Sequence, residues 1–353
     1  MKRRTFLRAT AAAGAAAALA ACGRRLTETM EMAPQETSTE IPPEPTLIPG
    51  PSPTSEPVSS VVYLIRTDDR LEGMRRAFDL LPPDVAGKRV LIKPNFNSAD
   101  PPPGSTDPGM LAEAVRQAWQ AGAAHVQIGD RAGMAVTRRV MEAAGVPALV
   151  NDLGVEWIDF SALPADQWEW MNLEDGHWPD GFLVARPVLA ADAVINVCCL
   201  KTHRFGGHFT LSLKNAVGMV AASVPGWAPA YMEQLHASAR QRSMIAEVNL
   251  AYTPALVVMD GVEAFTRGGP DVGTQVHAGV IVVGVDRIAV DAVGVALLRS
   301  FGTTPEVEEG PIFDQEQIRR AVELGLGVSE PGGIDLRGEA ELVERVREEL
   351  FAV

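Results

Sequence analysis

The chain has 353 residues, 46% of them hydrophobic, enough for a sizeable core in one large or two ordinary domains. Its formal charge is −14, and removing residues 1–21 (Lys2, Arg3, Arg4 and Arg8, no acids) leaves 27 basic against 45 acidic residues, a charge of −18. Such a chain does not hold nucleic acid or an anionic membrane surface by general electrostatics, so an anionic ligand has to be met by a local cluster of Lys and His.

The first 21 residues read as an export signal. Lys2, Arg3 and Arg4 precede Thr5-Phe6-Leu7, an apolar run to Ala21 and then Cys22. The run is too short to span a bilayer. The paired arginines resemble a twin-arginine signal, and Leu19-Ala20-Ala21-Cys22 resembles a lipoprotein cleavage site with Cys22 as the lipidated residue. These patterns predict export by the twin-arginine pathway. They also predict lipid anchoring on the outer side of the cytoplasmic membrane or in the cell envelope. Residues 22–60, with eight prolines among Ser, Thr and Glu, read as a disordered spacer, because so few large apolar residues cannot offset the entropy of ordering.

The folded domain is expected over 61–353. Val61–Ile65 reads as a strand, followed by an amphipathic helix with Leu71, Met74, Ala77, Phe78 and Leu81 on one face. Val90–Ile92 is a second strand. Asp107 caps and Pro108 opens a helix to Gln120, and His125–Gly129 is a third strand. A helix over Met134–Ala144 and a strand over Val155–Phe160 follow. Residues 163–181, with three Trp, have no assignable pattern. Phe182–Val188, Asp192–Leu200, Ala255–Met259 and Ala278–Val285 read as strands. His236–Leu250, Ile288–Phe301, Gln315–Leu324 and Glu339–Phe351 read as helices. The alternation predicts an α/β fold: an open, mostly parallel twisted sheet with helices on both faces.

Five apolar strands end in polar groups: Lys93-Pro94-Asn95, Asp130, Lys201-Thr202-His203, Asp260-Gly261 and Asp286. In a parallel sheet the C-terminal ends share one edge, so these groups are expected to line one cleft. Lys93, Lys201 and Lys214 are the candidates for binding charge, Asn95, Thr202 and Asn215 for orienting a ligand, and His203 with Asp130 or Asp260 for proton transfer. With Thr210 as an N-cap, Lys214 would lie in the first turn of a helix, where a bound anion offsets its repulsion by the macrodipole. Asp260 and Glu263 read as carboxylates on a mobile Gly-rich loop. A divalent metal on His203, His208 and Asp260 is the rival use, with His236 and Asp130 within reach through the fold, though no recognised metal spacing supports it. Cys198 and Cys199, adjacent in an apolar strand, read as buried structural thiols. The lack of any Cys-x-x-Cys argues against an iron–sulfur cluster held by this chain.

The ordered set Val90-Leu91-Ile92-Lys93-Pro94-Asn95, Thr106-Asp107-Pro108, Gly122-Ala123, Gly129-Asp130, Ile195-Asn196-Val197, Lys201-Thr202-His203, Leu213-Lys214-Asn215 with Gly218, Asp260-Gly261 and Asp286 to Asp291 resembles the family called domain of unknown function 362. The resemblance covers roughly residues 60–330. It implies that the strand-end residues form a site, and it brings in a separate ferredoxin-type iron–sulfur protein as a partner, since members often occur beside such modules. It departs at Cys198-Cys199, where members commonly carry Pro and Lys. The expectation is therefore an extracytoplasmic, lipid-anchored protein acting on a small anionic or phosphate-bearing ligand. The alternatives are a non-catalytic binding lipoprotein and a redox accessory protein.

Overall fold

The computed structural model describes residues 46–48, 59–224, 227 and 229–352. The export signal and Cys22 lie outside the described residues. So does most of the segment read as a spacer, but Thr46–Ile48 within it forms a strand (β1). The other strands in chain order are β2 (Ser60–Arg66), β3 (Arg89–Lys93), β4 (His125–Asp130), β5 (Glu156–Asp159), β6 (Trp168–Leu173), β7 (Phe182–Ala185), β8 (Ala193–His203), β9 (His208–Thr210), β10 (Pro254–Gly268), β11 (Gly273–Gly284) and β12 (Ile334–Gly338).

Nine of these form one sheet in the order β12-β2-β11-β10-β8-β3-β4-β5, with β9 paired to β8 beyond that path. Every pairing along the path is parallel except the two made by β11, which runs against β10 and β2. The fold is therefore α/β with a mostly parallel sheet, as the alternating pattern predicts. Strand alternation divides the core between the two faces. Cys198, Leu200, Val257 and Met259 pack with the helices Arg287–Ser300, Glu316–Glu323 and Ala340–Leu350. Ile195, Val197, Leu256 and Val258 pack with the helices Arg70–Leu80 and Pro108–Gln120.

The Trp-rich stretch has a structure after all. It supplies β6, which pairs with β1 and β7 in a small separate sheet. Trp168 and Trp178 are buried there, with the Trp178 indole donating to Met244 O at 3.0 Å. His177, which the sequence leaves unassigned, meets the buried Glu247 carboxylate, which Arg320 also engages. These are structural contacts.

Two expectations fail through topology. Asp286 does not join the site edge: β11 is antiparallel, so its end lies among the starts of the parallel strands, with Gly284 opposite Val62 and Val257. There Asp286 caps the helix Arg287–Ser300 through Ile288 and Ala289 N–H. Nor are Asp260 and Glu263 on a loop. β10 continues past them to Gly268 with a register shift after Gly261, a bulge that keeps the strand paired.

Candidate functional site

The ends of β3, β4 and β8 and the segment after β9 converge on a small cavity of about 50 Å³. Lys93, Asn95, Asp130, His203, Lys214 and Asn215 all line it, as do Arg131 and Thr210. Six of the predicted site residues are thus brought together.

Its floor is an ion pair between neighbouring strands. Lys93 Nζ lies 2.6 Å from Asp130 Oδ1, and both side chains are almost fully buried. Asp130 also accepts from Phe96 N–H at 2.7 Å and Arg131 N–H at 2.8 Å. Burial pushes Lys93 down and Asp130 up, and each partner opposes the shift of the other. Lys93 donates further to Pro94 O and to Asn215 Oδ1, at 2.8 and 3.2 Å. Asn215 Nδ2 donates to Asn196 Oδ1 at 2.8 Å. Because lysine only donates, this contact fixes which way the Asn215 amide faces. Gly218 roofs the pair: a Cβ there would lie 2.7 Å from Lys93 Nζ and would also strike Asp130 Oδ1.

Around this floor stand three more buried basic side chains. Arg131 donates to the carbonyls of Val220, Ala132 and Val217, at 2.8, 3.1 and 2.9 Å, and among the described residues to no carboxylate. Burial lowers it to about 10, so it stays charged at neutral pH. Lys201, expected to bind the ligand, does not line the cavity: it is fully buried and donates to Gly104 O at 2.5 Å, and burial lowers it too. Lys214 lines the cavity, and among the described residues it has no hydrogen-bond partner. Burial, then the charges of Lys201 and Arg131, bring it down to about 7.

His203 is 7% exposed and its Nδ1 has no partner among the described residues. Burial, with Lys214 and Lys201 nearby, holds it well below the ordinary imidazole value, so it is neutral at pH 7. Asn95 Oδ1 and Thr210 Oγ1 are also buried without partners. Buried polar atoms normally find a partner; among the described residues three of the ten such exceptions line this cavity.

The segment carrying Lys214 is held in an unexpected way. Thr210 ends β9 and caps nothing; the short helix is Ser212–Asn215. Its N–H groups are met by Asp291, from the helix Arg287–Ser300, at 2.8 Å from Ser212 N and 3.1 Å from Leu213 N. A capping carboxylate from far along the chain replaces the local cap.

Other predicted residues fall elsewhere. Thr202 Oγ1 donates to Phe265 O and Gly268 O, at 3.1 and 3.3 Å, and lines an outer cavity instead. Asp260 is off the inner cavity: Arg70 Nε binds its Oδ2 at 2.7 Å, Val262 N–H its Oδ1 at 3.0 Å, and Arg70 engages Glu263 as well. Among the described residues, no cluster of three or more His, Cys, Asp or Glu is placed to hold a metal. His203, His208 and Asp260 form no such cluster. His236 stands beside the site, its Nδ1 2.7 Å from Met232 O. Cys198 and Cys199 are free buried thiols whose ionisation burial pushes up.

Arg131 escaped the sequence reading. The only signal for it was its position one residue beyond a strand-end aspartate.

A cluster of buried basic side chains at the C-terminal edge of a mostly parallel sheet defines an α/β protein with a candidate functional site. The chain belongs to the family described as domain of unknown function DUF362, whose model matches residues 90–296. It is 28% identical over 213 residues to the thylakoid-associated protein sll1697 of Synechocystis sp. (strain ATCC 27184 / PCC 6803 / Kazusa). That match covers 59% of this chain and 62% of the relative's length. Among solved structures the lactate racemase apoprotein from Thermoanaerobacterium thermosaccharolyticum aligns with a TM-score of 0.38 and 14% identity, covering 61% of this chain and 52% of that one. A likeness of that degree carries no functional argument.

Proposed function

We propose that this protein binds a small anionic or phosphate-bearing ligand at the C-terminal edge of its sheet and exchanges protons with it. One observation carries the reading. Three buried basic side chains, Lys93, Arg131 and Lys214, line one cavity with a single carboxylate, Asp130, and the buried Lys201 is close enough to lower Lys214 as well. Taking a charge out of water costs several kcal/mol per ion unless it is paired, on the order of magnitude found for buried ions. An anion in the cavity supplies the missing charge and acceptors for the Lys214 amine, the Thr210 hydroxyl and His203 in the tautomer protonated on Nδ1. The test is calorimetric titration with phosphate, sulfate and succinate. Binding of at least one, weakened tenfold or more by Lys214→Met, is the expected result; no binding of any of them would sink the reading.

Proton transfer on this reading falls to His203 and Lys214. Both have ring or amine nitrogens free at the cavity, and neither Asp130 nor Asp260 has an oxygen without donors. That same locking of the two carboxylates favours a second reading, a non-catalytic binding protein. His203→Ala separates the two: in an enzyme it lowers turnover more than affinity, whereas a binding protein returns its ligand unchanged with or without the substitution.

We further propose that the protein is exported through the twin-arginine pathway and anchored by a lipid on Cys22. The support is the coincidence of Arg3-Arg4 and Leu19-Ala20-Ala21-Cys22 at the right spacing. Mass spectrometry of the envelope protein checks this, and a mature N-terminus other than lipid-modified Cys22 contradicts it.

A further inference from the structure

Resting on the anion reading of the inner cavity, we propose that the ligand is bipartite, with an anionic head in that cavity and an uncharged, hydroxyl-rich body in the outer cavity beside it. His203 is the residue the two cavities share. The inner one, at about 50 Å³, has room for a group of a few heavy atoms, since a single water needs roughly 10–15 Å³. The outer one, at about 330 Å³, falls in the range of small-molecule sites, roughly 300–1,000 Å³. A ligand larger than its head group has this space to enter.

The lining of the outer cavity selects the body. Thr202, His203, Arg204, His208, Thr304 and Glu306 form it with two glycines, and no large apolar side chain takes part. Thr202 and Arg204 are already engaged, Arg204 with Asp271 and with Gly269 O at 2.8 Å. His208, which keeps Nδ1 free while Gln315 meets its ring, and the Thr304–Glu306 pair, which is bonded to itself, are the groups that remain to meet a ligand. His208 Nδ1 is buried without a partner. His208 also has φ 60°, and it is the one non-glycine residue with positive φ among those described. Strain of this kind persists where the surroundings hold a side chain in place; here β9 pairs His208 directly across from His203. Burial keeps the His208 imidazole below its ordinary value and so mostly neutral. Glu306 is held ionised by its own backbone N–H and the Thr304 hydroxyl. A carboxylate and a neutral imidazole accept from and donate to hydroxyls. Glu306 repels a second anion, and Arg204 in the same wall disfavours a cation.

The test compares bare anions with their polyol and alkyl counterparts on the full chain by calorimetry at pH 7.5. Phosphate is set against glucose 6-phosphate and butyl phosphate, and acetate against gluconate and hexanoate. At least one polyol ligand is expected to bind tenfold or more tighter than its bare anion, with no such gain for the alkyl ligand. Glu306→Gln and Thr304→Val should each remove most of that gain while the bare anion binds as before. If the bare anion binds but the polyol adds nothing, or the alkyl chain adds as much, the bipartite ligand is refuted and the anion site stands. If no anion of either kind binds, the anion reading itself fails and this inference goes with it.

Discussion

Lys93 Nζ and Asp130 Oδ1 lie 2.6 Å apart at the ends of adjacent strands, with Gly218 closing over both. Asp130 neutralises one cation and has no capacity for the others. The positive field of Arg131 and Lys201 therefore falls on Lys214, and the site's chemistry follows from that imbalance.

The glycine is needed for the approach. Gly218→Ala puts a methyl group against the ion pair and should destabilise the fold by about 1–3 kcal/mol, the usual cost of overpacking. It should also weaken anion binding, because Lys93 and Asn215 shift together. Denaturant titration and calorimetry on the same variant check this. A variant as stable as the parent would mean the roof is looser than described.

Lys214 makes stability depend on pH. Its pKa drops from an ordinary 10.5 to about 7 on folding, so between these values the unfolded chain binds the extra proton. Stability from this group therefore rises with pH across the window, by at most ~1.4 kcal/mol per unit for one proton. Lys214→Met should remove that slope and stabilise the protein most at pH 7. Urea unfolding of both proteins at pH 7 and pH 9 measures it; equal slopes would contradict the assigned burial.

Arg70 tests the exclusion of Asp260 from the site. Arg70→Met strands a buried carboxylate and should cost about 3–5 kcal/mol, as breaking a buried pair does. Anion affinity of the folded fraction should stay as in the parent. A selective loss of binding without loss of stability would return Asp260 to the site.

Much of the site was legible because it sits where parallel strands end. Lys93, Asn95, Asp130 and His203 each follow an apolar run, and the sheet direction then brings them together. Three readings failed for reasons a local pattern does not carry. Asp260-Gly261 looks like a turn, but the bulge lets β10 continue to Gly268. Asp286 also ends a strand, yet β11 reverses direction in a hairpin with β10, and the reversal moves Asp286 to the far edge. Thr210 has the composition of a cap, and the cap comes from Asp291 instead, 79 residues after Ser212. Strand direction and long-range capping are tertiary facts, and the periodicity of a segment does not encode them.

Proton uptake on binding shows whether a bound anion completes the cluster of buried basic side chains. At pH 8 Lys214, with its pKa near 7 in the empty site, is mostly neutral, and an anion beside it favours the charged form. Sulfate, which does not titrate at this pH, should bind with uptake of up to one proton. The uptake is read from calorimetry in two buffers of different ionisation enthalpy, and Lys214→Met should abolish it. Sulfate-binding heats identical in the two buffers, or no binding of sulfate, phosphate or succinate, would contradict this.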